Sequence, residues 1–241
     1  MPVYNNIRHT PYVRVEGGDA FGRQTVAEPK TLFDSKLLFD KAPLFWDETI
    51  TNDSGNATST HSTGDAAVTM HVETNDVIIR QTRTHWNYQP GKAQEIYFTG
   101  ILNSSGGGAG VKARFGAFTA TDGVFFEYDA GTVYVVIRKA SSDTRVAQSA
   151  WNGDRHDGSK GDTNPSEVTA DWTKAQIFYI DFEWLGVGTV RFGMFHDGKL
   201  HILHAVHHAG AVDSVYMATP NLPVRGAGRL HGRDAPKREY G

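Results

Sequence analysis

The chain has 241 residues, with 24 Lys and Arg against 27 Asp and Glu, and the resulting formal charge of −3 argues against nucleic-acid binding as its main task. It contains no cysteine, so disulfides, thiol chemistry and thiolate metal sites are excluded. At 39% hydrophobic and 21% charged residues it is ordinary globular material, long enough to bury a core, and it holds no apolar run of the roughly 20 residues that span a bilayer. The opening Met1-Pro2-Val3-Tyr4-Asn5-Asn6 lacks a basic stretch followed by an apolar one. The expectation is therefore a protein made and kept in a cytoplasm, or assembled there into something larger, without membrane insertion.

In chain order, residues 1–20 mix polar and apolar types around Gly17-Gly18 and read as an extended arm. Residues 21–47 are strongly apolar without the period of a long helix or a sheet. Leu32, Phe33, Leu37, Leu38, Phe39, Leu44, Phe45 and Trp46 crowd together between Pro29 and Pro43, which limit any helix to about three turns. Such a segment must pack on its own domain or on a neighbour. The Thr/Ser/Asn/Asp/Gly-rich span 49–65 reads as a loop. Strand signals follow at 67–73, 76–82, 95–102, 111–118, 124–128 and 132–138, then at 175–184, 189–195 and 200–207. The glycine run over 104–110 and the pairs Asp122-Gly123, Ala130-Gly131 and Asp197-Gly198 read as turns. Residues 151–170 read as a long polar, solvated loop, and residues 226–241 as a basic, mobile tail.

About nine short strands with turn signals every 8–12 residues predict an all-β, antiparallel β-sandwich, jelly-roll or concanavalin-like, with an extended N-terminal arm. The expected division is an arm over 1–47, a sandwich over 48–225 and a tail over 226–241.

Several blocks carry a resemblance: Phe21-Gly22-Arg23, Glu28-Pro29, Leu32-Phe33-Asp34-Ser35-Lys36 and Pro43-Leu44-Phe45-Trp46-Asp47, then Asn87 to Lys92, Asp143 to Ser149, Ile180 to Gly188, and Thr219 to Pro223. In this order they resemble a family of tailed-bacteriophage virion structural proteins, from about Phe21 to Arg225; the tail departs from the pattern. The resemblance implies a particle component with no assigned chemistry, located on the virion. Its partners would be the major capsid protein or other virion proteins and further copies of itself, as a homotrimer by analogy with virion decorations. The implied role is a capsid decoration or cement protein; a receptor- or glycan-binding domain of a head or tail fibre is the alternative. The residues expected at assembly contacts are Leu32, Phe33, Leu37, Phe39, Leu44, Phe45 and Trp46, with Arg225, Arg229 and Arg233 adding ionic contacts to an acidic shell.

Three other patterns bear on chemistry. Tyr179-Ile180-Asp181-Phe182-Glu183 resembles the Glu-x-Asp-x-Glu strand of laminarinase-type glycosidases, but Tyr179 stands where that chemistry needs its nucleophile. The expectation is no catalytic site and no enzyme, with Asp181 and Glu183 facing solvent or an interface. His196, His201, His204, His207 and His208 cluster late in the chain; strand alternation puts His201 with His207 on one face and His204 with His208 on the other, without chelating spacing. The loop from Asp154 to Asp162 lacks the ordered calcium-loop pattern. No metal and no cofactor are therefore expected. Trp86, Tyr88 and Trp151 sit at loop-like positions where a host surface glycan could stack.

Overall fold

The computed structural model describes residues 30–73, 75–103 and 110–230. The extended arm over residues 1–29, the glycine turn over 104–109 and the tail beyond 230, Arg233 included, lie outside the described residues. The strands are β1 (Trp46–Thr51), β2 (Thr58–Ser62), β3 (Ala67–His71), β4 (Val77–Thr82), β5 (Gln94–Gly100), β6 (Val111–Phe118), β7 (Gly123–Asp129), β8 (Thr132–Lys139), β9 (Ser142–Ala147), β10 (Gln176–Phe182), β11 (Thr189–His196), β12 (Lys199–His207) and β13 (Val224–Leu230). They form a seven-stranded sheet in the order β1-β4-β13-β6-β7-β8-β9, a four-stranded sheet β12-β11-β10-β5 and a hairpin β2-β3. Every ladder is antiparallel. Among the described residues the one helical element is a 3-10 turn at Gln148–Ala150, and no helix is long and apolar enough to cross a membrane.

The two larger sheets pack face to face as an all-β sandwich. Alternation turns Phe115 and Phe126 of the first sheet and Phe98, Phe178 and Phe192 of the second toward one another. The Phe98 ring lies between Phe115 and Phe178, at centroid distances of 4.1 and 4.8 Å. Phe126 meets Phe178 at 5.0 Å and Phe192 edge-on at 5.4 Å. Val124, Val135, Ile180, Val190, Met194 and Leu203 fill the remaining core and are almost wholly buried. Turn chemistry sets the meander: Ala130-Gly131, Ala140-Ser141 and Asp197-Gly198 each place two successive residues at positive φ, the twist that two-residue hairpins require.

Two expected boundaries shift. The arm does not extend to residue 47, because Trp46 and Asp47 already pair with Thr82 and Gln81 in the β1–β4 ladder. Residues 226–230 are not tail but belong to strand β13, inserted between β4 and β6 over the register Arg225↔Gln81 to Leu230↔Val111. The lack of large apolar residues there has a packing cause. A Cβ at Gly226 would lie 3.2 Å from the Phe115 ring and 3.5 Å from the Met70 methyl, so the strand is small because its neighbours cover it closely. Strands β1, β2 and β9 also escape the apolar pattern, since Glu48-Thr49, Thr58 to Ser62 and Asp143 to Arg145 alternate mostly polar groups at sheet margins.

Candidate functional site

The apolar segment 30–45 divides into an anchored and an outward set. Phe33, Ser35 and Leu37 turn toward the domain, alternating with exposed Leu32, Asp34, Lys36 and Leu38. The Phe33 ring packs on Trp86 and Trp46, with centroids 5.4 and 5.8 Å away. Trp46 is buried, and its Nε1–H donates to Ser35 Oγ at 3.0 Å. The Arg80 guanidinium lies 4.9 Å over the Trp46 ring, donates to the Lys41 carbonyl and pairs with Glu48 at 3.2 Å. Glu48 also receives Lys41 at 2.9 Å. Burial alone would push the Glu48 carboxyl up, but hydrogen bonds from Lys41 and Ser59 and the charges of Lys41 and Arg80 hold it below its usual value. A second tie is the His61 ring, 2.7 Å from the carbonyl of Leu37, whose φ of 49° is unusual for a branched residue.

Of the expected assembly residues, Phe33, Leu37 and Trp46 thus pack on the chain's own domain. Leu32, Phe39, Leu44 and Phe45 remain open, Phe39 at 87% and Leu44 at 84% exposure. Leu38 joins them. Arg225 is not a free cation on the surface: its guanidinium sits 5.3 Å over the Phe118 ring and donates to Gln81 Oε1 at 2.9 Å. The side chain of Arg229 lies outside the described structure.

Of the aromatic residues expected to stack a glycan, Trp151 is absorbed by packing and Trp86 and Tyr88 are partly covered. Trp151 is 1% exposed, in the core, with Nε1–H donating to the Val146 carbonyl at 3.1 Å, so it cannot present a face to a sugar. Trp86 is half-covered by Phe33 and bridges to Leu222. Tyr88 rests edge-on against Trp184 at 5.7 Å, and its hydroxyl accepts the Leu185 N–H at 3.3 Å.

Asp181 and Glu183 do not face solvent; both are fully buried. Asp181 pairs with Arg191, whose Nε lies 3.0 Å from Oδ2. Burial raises the Asp181 pKa and Arg191 opposes that shift. Tyr179 is buried beneath Tyr97, ring against ring at 5.2 Å. Alternation put these groups on the outer face as expected, but side chains from β5 and β11 cover them. Elsewhere a cleft of about 560 Å³ opens between the sheets, lined by Ile137, Val146, His204, His208, Val212 and Tyr216. His208 stacks flat on Tyr216 at 4.1 Å, and its Nδ1 lies 2.6 Å from the Gly188 carbonyl.

The polar span 151–170 is solvated only in part: residues 157–163 are exposed, but its inner residues are not. Asp154, His156 and Asn164 are buried, and the cause is a bulge in β12. The β11–β12 register slips between Phe192 and Gly193, leaving Leu203 as the extra residue. The peptide groups there bond the incoming loop: Gly153 N–H donates to the Leu203 carbonyl at 3.0 Å and Asp154 N–H to Ile202 at 2.9 Å. Only glycine permits this approach, since a Cβ at position 153 would lie 2.2 Å from the Ile202 oxygen. Asn152 pairs its side-chain amide with the Ala205 backbone in both directions, at 2.8 and 2.9 Å. The loop thereby covers the open edge of the four-stranded sheet. Asn164 holds the turn from within, accepting His156 N–H at 2.9 Å and donating to the carbonyls of Ser159 and Val168.

The bulge also corrects the histidine faces. His201 pairs opposite Met194 and His204 opposite Phe192, both core residues, so these two histidines turn inward together, while His207 pairs opposite Thr189. His201 Nδ1 comes 3.1 Å from Asp154 Oδ2 and 3.1 Å from His156 Nε2, which lies 3.8 Å from the same carboxylate oxygen. The His196 ring stands 6.3 Å from both imidazoles. Burial, reinforced by His201 and His196 and opposed by Asp154, holds His156 at a pKa of about 4, so its ring is neutral at pH 7. Sequence reading singled out the loop and the late histidines separately; the Asp154-His156-His201 set arises only from the pairing of residues 153–154 with the bulge.

The chain matches no model of a known protein family, and no curated protein is significantly similar to it.

Proposed function

We propose that this chain is a structural protein of a tailed-phage virion, a capsid decoration or cement protein that attaches through residues 32–45 and self-associates, most simply as a trimer, to stabilise the particle. The observation that carries the reading is the divided segment. Phe33 and Trp46 clamp it to the sandwich, and yet Leu32, Leu38, Phe39, Leu44 and Phe45 are each exposed. An apolar group of that size, presented by a clamped backbone, fits a surface covered on assembly, with little ordering cost left at docking. The ordered sequence blocks that resemble those of virion proteins suggest the kind of partner: the shell and neighbouring copies. On this reading the protein is assembled in the host cytoplasm and resides on the virion, with no enzymatic role.

Deleting the chain through Asp47 would remove Trp46 from its ladder, so point changes are the cleaner test. The full chain and its Phe39→Asp/Leu44→Asp variant are mixed with particles of the same virus assembled without this chain, and both are imaged. Full-chain density at regular lattice positions, absent for the variant, is the expected result. Binding unchanged in the variant, or found only at the tail or on host cells, overturns the reading and moves the role to a fibre or receptor-binding domain.

A further inference from the structure

We propose that Asp154, His156 and His201 bind one divalent transition-metal ion, zinc by the character of the donors, with water as the fourth ligand, and that this ion pins the 151–170 loop to strand β12. The site stands independently of the assembly role.

Protons alone serve this triad poorly: the best they offer is one His201 N–H shared between two acceptors. His201 Nδ1 lies 3.1 Å from both the Asp154 carboxylate and His156 Nε2, and it carries at most one hydrogen. If that hydrogen is present and points to Asp154, His156 Nε2 is left either with a bare lone pair or with its own N–H aimed at another N–H. If it is absent, the His201 lone pair faces a carboxylate oxygen. Asp154 Oδ1, buried on the other side of the carboxylate, has no hydrogen-bond partner among the described residues. Buried polar atoms are seldom left unmatched in this way. A cation accepts the lone pairs of all three side chains at once. His156 Nδ1 has no partner with or without an ion, and so does not discriminate between the two states.

Geometry and donor type agree on the ion. The three donor separations, 3.1, 3.1 and 3.8 Å, average about 3.3 Å. A tetrahedral ion with bonds of about 2.0–2.1 Å requires neighbouring donors about 3.3–3.4 Å apart. Calcium and magnesium take oxygen ligands, whereas two neutral imidazoles and one carboxylate suit zinc. The donors are also held in place before any ion arrives. His156 sits at φ 49°, and Asn164 fixes its backbone N–H. Asp154 is fixed by its bond to Ile202 at the bulge, a device that re-aims side chains beside functional sites. A shallow surface depression lined by Glu167, Thr169, His196 and His201 gives access from solvent.

The test uses the full chain, treated with EDTA and then freed of it, titrated with zinc at neutral pH by calorimetry and followed by thermal melting. The expected result is one saturable zinc per chain and a melting temperature that rises with zinc and falls again with EDTA. Asp154→Asn and His201→Ala should each weaken binding at least about tenfold and abolish the zinc-dependent shift. His71→Ala, which removes an exposed histidine elsewhere, should bind as the wild type does. Absence of saturable binding by the wild type overturns the site, as does equal binding by Asp154→Asn and His201→Ala, which would place zinc on other histidines. If both variants fail to fold, cobalt(II) on the wild type decides. The intense visible bands of a tetrahedral ion uphold the site, and a weak octahedral spectrum overturns it.

Discussion

Two irregular segments flank the sandwich, and they invert their compositions. Residues 30–45 are mostly apolar and turn five of their seven large apolar side chains outward; residues 151–170 are mostly polar and turn Asp154, His156 and Asn164 inward. Each guards a sheet margin: the first leads into edge strand β1, and the second lies along edge strand β12. Where apolar groups are held out against solvent by a clamped backbone, the proposed attachment to another protein surface would cover them. Where polar groups are driven into the interior, the missing neighbour is a charge or a hydrogen bond. Composition reveals that a segment needs a partner; burial reveals which kind.

The comparison breaks if aromatic residues in the two segments respond alike to truncation. Trp151→Ala should cost about 3–5 kcal/mol, because a fully buried ring leaves a cavity between the sheets. Urea denaturation of the variant would read that loss directly. Asn164→Ala comes next: it strands the His156 N–H and two carbonyls inside the loop and should cost about 2–3 kcal/mol in the same assay. Proteolysis focused on residues 157–170 would confirm that the damage is local to the loop.

The histidines at the cleft sharpen the contrast through pH. Burial, with some help from His207, lowers the His208 pKa, against the pull of the Gly188 carbonyl. His204 is lowered by the same two causes. A folded-state pKa below the unfolded value of about 6.5 means that the contribution is full above that pH and is lost as pH falls through it toward the folded value. Melting temperature should therefore decline from pH 7.5 to pH 5, and His208→Phe, which retains a ring on Tyr216, should lessen the decline. An equal decline in both proteins would show that His208 is not among the responsible groups. His204 and His208 are buried within the chain itself, so this pH dependence belongs to folding.

The smallest effect on folding belongs to the outward set. Phe39→Ser and Leu44→Ser should leave unfolding free energy within about 0.5 kcal/mol of wild type, since neither side chain is covered by the described chain. Both should nonetheless lower self-association in sedimentation measurements. A large loss of stability would mean that the segment is part of the core after all, and the inversion would fail.

Much of the fold was legible because it is local. Strand β6 was read to the residue, and the hairpin turns at Ala130-Gly131 and Asp197-Gly198 announced the twist of β7–β8 and β11–β12. Strand β13 was not legible, since Gly226-Ala227-Gly228 carries no alternation and its smallness makes sense only beneath Phe115 and Met70. Trp151 looked like a loop aromatic because its neighbours Asn152 and Gly153 are polar and small; what buries it is the return of β12 alongside.

By itself the sequence determined that this chain is an all-β sandwich, that residues 32–46 must pack on their own domain or on a neighbour, and that thiol chemistry is absent. Alternation, turn residues and composition act within a few positions of one another and need no distant information. The tertiary structure decided which apolar side chains stay outside, where β13 inserts, and that Asp154 meets His201 across 47 positions. Those outcomes depend on which strand edges pair and where one bulge slips the register, and long-range backbone pairing of that kind leaves almost no local trace.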